Sequence, residues 1–406
     1  MNGVAPKWEG GMKVENDPRA RLEAACELAE RMEARREDLA EAGAADAGFP
    51  VKVTLLEAGI SIQHLRSMEE EADWVADGRP YGTVAAIFPY DAPVVMMSRL
   101  GGSALLTGNR LRFSFSSWTP RSARLIADIS KPFSVFEPVV GQDNREFGHR
   151  CVRDPAVRVL FMSGASAVGA AYRGFREHFD KLFFAGPGGM PAALVFPDAD
   201  PEAAARFIAR RAFINGGQYC TTIKKALIHA GLYEAVREKI LGHARALKVG
   251  DPLDMETDIG PIRVERTVKI VEHALGQCNG GRILAGGIDK PFIHPLVLEL
   301  ERIPDLELFG PFLALKPFDN AEEAVREVVG TRYGFLLAYF GTPPEGARKL
   351  FSENFGMVHG NPDFEFTPLR LPFGGRKESG WILERRGAEW VERDGAFLYS
   401  RELVRP

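Results

Sequence analysis

Apolar residues along this chain form short unbroken runs and helical stripes that alternate over most of its length. From Pro18 to Ala45, Leu22, Ala25, Cys26, Ala29 and Met32 recur at helical spacing in a segment rich in Ala, Leu, Glu and Arg, which predicts one amphipathic helix closed by a Gly/Ala turn. A second helix is predicted over Val51–Glu71, with Leu55, Leu56, Ile60, Ile62 and Leu65 as its apolar face. The run Thr83–Phe88, set between Gly82 and Pro89, has the length of a strand buried on both faces, and Val94–Leu106 then reads as a helix ending at Gly108. The alternation continues as strand Leu111–Phe115, helix Pro120–Ile129, strand Arg158–Met162, helix Ala167–Phe179, strands Leu182–Phe184 and Ala192–Val195, and helix Pro201–Ala212. It resumes as strand Ala226–His229, helix Tyr233–Ala246, a loop rich in Gly, Asp and Pro over Gly250–Pro261, helix Val264–Gln277, and strands Arg282–Ala285 and Leu296–Leu300. Helix Ala321–Val329, which Asp319 or Asn320 can cap, and strand Phe335–Phe340 follow. Alternation of this kind predicts parallel strands joined by helical crossovers, an open α/β sheet that binds ligands at the carboxyl ends of its strands.

Composition narrows the class without naming it. At 406 residues, 45% hydrophobic and 26% charged, the chain is globular and long enough for two or three domains. A net charge of -4 from 51 basic and 55 acidic residues, with no basic run, gives no reason to expect nucleic acid. Cys26, Cys151, Cys220 and Cys278 lie far apart without zinc-site spacing, so neither a disulfide framework nor a metal site is expected, and a cytoplasmic location fits. Residues 1–18 have no apolar core of the kind a signal peptide needs, and no run of about 18 apolar residues offers a membrane span.

The stretch from Phe213 to Lys225 carries the candidate chemistry. It sets Cys220 in a turn of small and amide residues before an apolar run. Gly216 and Gly217 would let the backbone approach a ligand, Asn215 and Gln218 can donate to an oxyanion, and Lys224 and Lys225 favour thiolate over thiol. Read alone, Cys220 could equally be a buried structural cysteine.

The segment Asn215-Gly216-Gly217-Gln218-Tyr219-Cys220-Thr221 resembles the catalytic-cysteine signature of the aldehyde dehydrogenase superfamily. Glu307-Leu308-Phe309-Gly310-Pro311, Gly356 to Asn361, and Pro372 to Gly380 resemble further motifs of that family in matching order. Pro80 to Val84, Pro89 to Pro93, Gly108-Asn109, and Ser163-Gly164 with Gly169 fall where it keeps cofactor landmarks, so the resemblance covers roughly residues 80 to 380. It implies an aldehyde dehydrogenase-like α/β fold: a Rossmann-type cofactor domain (residues 1–185), an α/β catalytic domain (186–380) and a C-terminal segment (381–406). It implies Cys220 as nucleophile, Asn215 and Asp91 as carbonyl-polarising candidates, and Ser114, Ser163, Gly164, Gly169, Glu307 and Phe309 as contacts to NAD or NADP. The family's dimer pairs a long hairpin with a C-terminal strand. Here only a stub fits between His64 and Pro80, while Ala396–Val404 is the candidate last strand of a homodimer.

Three positions depart from that pattern. Where the family carries its general-base glutamate, this chain reads Ala185-Gly186-Pro187-Gly188-Gly189-Met190-Pro191, and Gly186 cannot accept a proton. The segment resembles the coenzyme A-acylating branch, in which a thiol resolves the thioester, as does Ser114-Phe115-Ser116-Ser117 in place of the usual Lys-Pro-Ser-Glu. Asp91 stands where an asparagine polarises the carbonyl, and it can alternatively cap the helix Val94–Leu106. The expected activity is interconversion of a small aldehyde and an acyl thioester, with coenzyme A or a carrier thiol as cosubstrate. Ordinary oxidation to a carboxylic acid with another base, and a non-catalytic scaffold, are the alternatives. His229 reads as a core histidine before a base, and Trp118, Tyr219, Phe364 and Phe366 as either an aromatic tunnel or core.

Overall fold

The computed structural model describes residues 17–173, 181–186, 188–278 and 280–405. The amino-terminal segment, the end of the expected helix Ala167–Phe179, and Pro187 lie outside the described residues. The chain divides into two compact units. One takes in the residues up to Ala42, Leu55–Phe161 and the chain from Tyr399 on; the other takes in Gly43–Thr54 and Met162–Leu398.

In the first unit the expected amino-terminal helix is two helices, Pro18–Glu33 and Arg36–Ala47. Asp17 caps the first, accepting from Arg19 N at 3.1 Å, with Pro18 at its first position. The break at Ala34–Arg35 lets the Arg36 guanidinium reach the carbonyl of Leu55 at 3.2 Å. Gly43–Ala45, expected as the closing turn, continues the second helix, and the chain turns instead at Gly48, whose φ is 79°.

The next helix runs Val51–Arg66, followed by a 3-10 turn Met68–Glu71. Ile62 and Leu65 are buried as expected, but Leu56 is 37% exposed, while His64 and Glu71 are buried in its stead. These polar groups are satisfied internally: the His64 ring contacts Ser98 Oγ at 2.7 Å and Glu71 Oε1 at 2.8 Å, and Ser400 Oγ donates to Glu71 Oε2 at 2.5 Å. The Glu71–Ser400 bond explains why Ala396–Val404 is not the single strand expected. A helical turn Tyr399–Glu402 places Ser400 inward, and only Val404–Arg405 is strand, antiparallel to Arg79–Pro80.

The strands of this unit lie in the order Val157–Met162, Thr83–Phe88, Arg110–Phe115, Phe136–Val139. The last three are parallel, with Ala86 beside Phe113 and Phe113 beside Pro138. The helix after Thr83–Phe88 carries a π turn at Met97–Gly101, and Gly108 closes it with φ 73°.

The second unit is built on a seven-stranded sheet in the order Met357–Gly360, Leu336–Phe340, Ala192–Val195, Lys225–His229, Phe312–Phe318, Phe292–Glu299, Arg282–Asp289. Every pair is parallel except the last. Its strands alternate faces with the two-residue period of extended chain: Ala193, Val195, Ala226, Ile228, Leu313 and Leu315 pack into one apolar layer, whereas Ala192, Leu194, Leu227 and Leu337 pack into the other. Burial on both faces is why these segments read as unbroken apolar runs.

The antiparallel hairpin Trp381–Arg386/Glu389–Asp394, which pairs with Leu182–Ala185, has no counterpart in the sequence reading. Helix Ala321–Val329 begins where expected, with Asn320 Oδ1 accepting from Glu323 N at 3.0 Å. No helix among the described residues is long and apolar enough to cross a membrane, and no group of three metal-ligating side chains occurs among them.

Candidate active site

Helix Pro201–Phe213 ends in a 3-10 turn, Ile214–Gly217, that leads through Cys220 into strand Lys225–His229. Three consecutive residues there are left-handed, Asn215 (φ 54°), Gly216 (φ 60°) and Gly217 (φ 67°), of which Asn215 is a non-glycine in a costly conformation. Gly217 serves an approach of backbone to backbone rather than to a ligand. A Cβ on it would fall 2.1 Å from Gly310 O, and Gly310 N donates to Gly217 O at 2.9 Å. The turn of the cysteine is thereby fastened to the Glu307–Pro311 segment. The Asn215 side chain is fully buried, and neither its Nδ2 nor its Oδ1 has a partner among the described residues. Gln218 Nε2 donates to Asn215 O at 3.4 Å, and Cys220 is half-buried against the apolar layer that also holds Phe364 and Phe373.

The two lysines that follow the cysteine are both buried. Lys224 is fully buried and its ammonium donates to Gly217 O at 2.7 Å and Gly310 O at 2.5 Å, so it clamps the two loops, and burial pushes its pKa well below the ordinary lysine value. Lys225 is also buried, and burial pushes it down to about 8. A buried cation beside the cysteine's turn, Arg211, was passed over in the sequence reading; its guanidinium is bonded to the carbonyl of Thr221, the residue next to Cys220. It lies on the apolar stripe of its helix with Ala204, Phe207 and Ile208, an arginine three and four places beyond core residues, and that placement was the available signal.

Arg211 is 1% exposed, donates to Glu365 O at 2.8 Å and Thr221 O at 3.1 Å, and is held down to about 10 by burial against the favourable pull of Cys220 and Tyr219, so it is charged at neutral pH. His359, on strand Met357–Gly360, stacks edge-on against Phe364 with ring centroids 4.9 Å apart. Burial and the Arg211 charge push its imidazole down to about 4.

Gly186 has no room for any side chain. A Cβ there would lie 2.5 Å from Ser163 Cα and 2.6 Å from Met162 O, and Gly186 N donates to that same carbonyl. Beside it, a Cβ on Gly188 would strike Glu307 Oε1 at 1.5 Å. Both Glu307 oxygens accept from Ser166 N, each at 3.2 Å, at the start of helix Ser166–Arg173, where the helix N-terminus favours a carboxylate. Burial nevertheless raises the Glu307 pKa, against the lowering effect of the Ser166 bond.

The second unit thus brings together the Cys220 turn, Glu307 with Phe309 on the adjoining segment, and the Ser163–Ser166 turn. Ser163 is half-buried, and at Gly164 no atom lies within 4 Å of where a Cβ would stand. Gly169 is required by the Trp381 ring, whose Cη2 would lie 2.8 Å from a Cβ. In the first unit, Ser114 is buried and donates to Asn144 Oδ1 at 2.8 Å. Asp91 is buried as well, but the N-cap of helix Pro93–Met96 is Ala92, without a side-chain capping bond.

His229 is partly buried, its ring edge-on to Phe318, and it caps helix Ala230–Ala246, its Nδ1 accepting from Gly231 N at 3.2 Å. Tyr219 is buried edge-on to Phe366, Phe364 packs on Phe207, and Trp118 is 39% exposed.

Comparison with known proteins gives the family and the fold. The sequence pattern of the aldehyde dehydrogenase family matches residues 14–393. The lactaldehyde dehydrogenase of Methanocaldococcus jannaschii is 30% identical over 90% of this chain and 83% of its own, and the 3-sulfolactaldehyde dehydrogenase of Priestia aryabhattai is 27% identical over 94% and 86%. Among solved structures, the glyceraldehyde-3-phosphate dehydrogenase GapN of Methanocaldococcus jannaschii, complexed with NADP, superimposes with a TM-score of 0.82 at 28% identity, covering 97% of this chain and 89% of that one. The chain belongs to the aldehyde dehydrogenase family.

Proposed function

We propose that this protein is an NAD(P)-dependent aldehyde oxidoreductase in which Cys220 carries the acyl group and a thiol, coenzyme A or a carrier arm, releases it. The Cys220 thiolate adds to the aldehyde carbon, giving a thiohemiacetal whose loss of hydride leaves a thioester, and exchange with the incoming thiol frees Cys220. NAD or NADP supplies the hydride acceptor. The residues present fit a dinucleotide: open space at Gly164 leaves room for a close approach to the backbone, and the Glu307 carboxylate beside it can accept from ribose hydroxyls. Ser163, Gly164, Gly169, Glu307 and Phe309 would hold it, with Ser114 at the ribose; Asn215 and Asp91 are the candidates to polarise the carbonyl. The assignment of residues 1–185 to cofactor, 186–380 to catalysis and 381–406 to pairing in a cytoplasmic homodimer belongs to the same reading.

The observation that carries the thiol step is the contact at Gly186. At Gly186, the position that the resemblance sets against the family's base, Ser163 and Met162 fill the place of a Cβ. A thiol is partly ionised near neutral pH and needs less help from a base than water does. Three of the similar proteins act, by name, on the 2-hydroxyaldehydes lactaldehyde, 3-sulfolactaldehyde and glyceraldehyde 3-phosphate, and others on succinate semialdehyde and sulfoacetaldehyde, which makes short 2-hydroxy and acidic aldehydes the first to assay.

A second reading, oxidation to the carboxylate, draws on Glu307, a carboxyl of raised pKa beside Gly188. Incubation of the purified protein with such aldehydes and NAD or NADP, with and without coenzyme A, decides between them by product mass. Acyl thioester formation supports the proposal, carboxylate as the only product in the presence of coenzyme A supports the second reading, and no cofactor reduction with any aldehyde contradicts both.

A further inference from the structure

We infer that Arg211 is a positioning residue that keeps Cys220 ionised: a buried guanidinium, bonded to main-chain carbonyls on either side of the cysteine's surroundings, leaves its charge for the thiolate. This rests on the reading of Cys220 as the nucleophile. The guanidinium is shut off from solvent, so it cannot serve as a landing point for a substrate anion. Both its acceptors are carbonyl oxygens, Thr221 O at 3.1 Å, in the residue next to Cys220, and Glu365 O at 2.8 Å. Its own carbonyl accepts from Ile223 N at 3.1 Å, so helix and turn are joined twice.

The carboxylate of Glu365, whose main chain Arg211 bonds, is turned to Arg210, whose Nη2 lies 2.7 Å from Glu365 Oε1. Among the described residues, the charged and titratable groups that bear most on Arg211 are Arg210 on its own helix, Tyr219 and Cys220 on the turn, Glu365 on the facing segment, and His359 on the strand Met357–Gly360. Of these, Arg210 and Glu365 neutralise one another at the surface. Tyr219 is buried, and His359 has a buried Nε2 without a partner among the described residues. That unpartnered nitrogen agrees with an imidazole kept neutral beside a fixed cation. A buried guanidinium with no bonded carboxylate is costly to a fold, and the group it can stabilise in return is a thiolate. Arginine suits the task better than lysine, because its planar donors bond two carbonyls in fixed directions and its charge persists when buried.

Alkylation tests this without reference to turnover. Iodoacetamide reacts with the thiolate, forming an S–C bond and releasing iodide, so the rate at the Cys220 peptide, followed by mass spectrometry from about pH 5 to 10, reports the ionised fraction. In the wild type the midpoint should lie at least about one pH unit below the ~8.5 of an ordinary cysteine. Arg211→Gln should raise it by about one pH unit or more, slowing alkylation at neutral pH about tenfold, while exposed Cys26 in the same sample is unchanged. Arg211→Lys, which keeps a charge, should fall between the two.

A wild-type midpoint at or above ~8.5 overturns the inference even if Arg211→Gln does not fold. So does a folded Arg211→Gln with an unmoved midpoint. Failure of the nucleophile assignment would look different: Cys220→Ala would keep its turnover, whatever the alkylation profile.

Discussion

Replacing Gly217 by alanine tests how the nucleophile's turn is held. The residue is left-handed at φ 67°, a conformation that costs an L-residue about 1–2 kcal/mol. The added Cβ would also sit 2.1 Å from Gly310 O and 2.5 Å from Gly310 C, main-chain atoms that cannot rotate away. Moving the loops apart to ordinary contact stretches the Gly310 N to Gly217 O bond of 2.9 Å and the Lys224 bonds of 2.7 and 2.5 Å. At about 1 kcal/mol for each bond lost or weakened, and about 1–3 kcal/mol for overpacking, the expected destabilisation is about 3–5 kcal/mol after partial relaxation.

Gly242→Ala is the control, because that glycine is exposed within helix Ala230–Ala246 with nothing within 4 Å of a Cβ, and it should stabilise by about 0.5–1 kcal/mol. Urea unfolding of both variants, with turnover measured alongside, gives the comparison. Gly217→Ala within about 0.5 kcal/mol of wild type, at full activity, would refute the claim that this contact shapes the site.

Lys225→Met should change the pH dependence of stability. The folded value near 8 lies below the ordinary lysine value of 10.5, so the unfolded chain binds more protons between them and wild-type stability should gain up to about 1.4 kcal/mol per pH unit from pH 8 upward relative to the variant, which parallel urea midpoints would show or deny. His359→Phe follows the same sign at acid pH: the imidazole is pushed from 6.5 to about 4, so the wild type should lose stability relative to the variant as pH falls through that window, and parallel acid-unfolding curves would count against the burial described. Gly186→Glu should fail to create a water-activating base, because its Cβ collides with Ser163 and Met162. Loss of about 2 kcal/mol or more of stability with no gain in thiol-independent turnover is expected, and a gain of ~10² or more would show that the loop opens readily. Cys220→Ala should abolish turnover with little effect on the unfolding midpoint, since Cys220 is only half-buried; activity above about a tenth of wild type would remove it as nucleophile.

Much of the sheet was readable because its strands are buried on both faces. Thr83–Phe88 and Ala192–Val195 have the bounds their apolar runs predict, and Ala321–Val329 is delimited by its Asn320 cap. The hairpin beginning at Trp381 was not readable. After Trp381, Ile382 and Leu383 it turns to charged residues, Glu384, Arg385 and Arg386, and only its pairing with Leu182–Ala185 makes it strand. The carboxyl-terminal segment misled for a related reason: Ser400 is placed by Glu71 and Ser103, partners about three hundred residues away that local pattern cannot see. At the site, the cysteine and its turn were legible from residue type. The burial of Lys224, the crowding at Gly186 and the role of Arg211 depend on which backbone lies opposite, and sequence spacing does not contain that.

The most direct test of the thiol-dependent reading is rapid mixing of the wild type with cofactor and aldehyde in the absence of thiol. The account predicts a burst of reduced cofactor equal to the concentration of Cys220, then a steady rate slower by about 10² or more, with coenzyme A restoring linear turnover. Fast, burst-free reduction that coenzyme A does not accelerate would contradict it, because some group other than a residue at position 186 would then already be activating water.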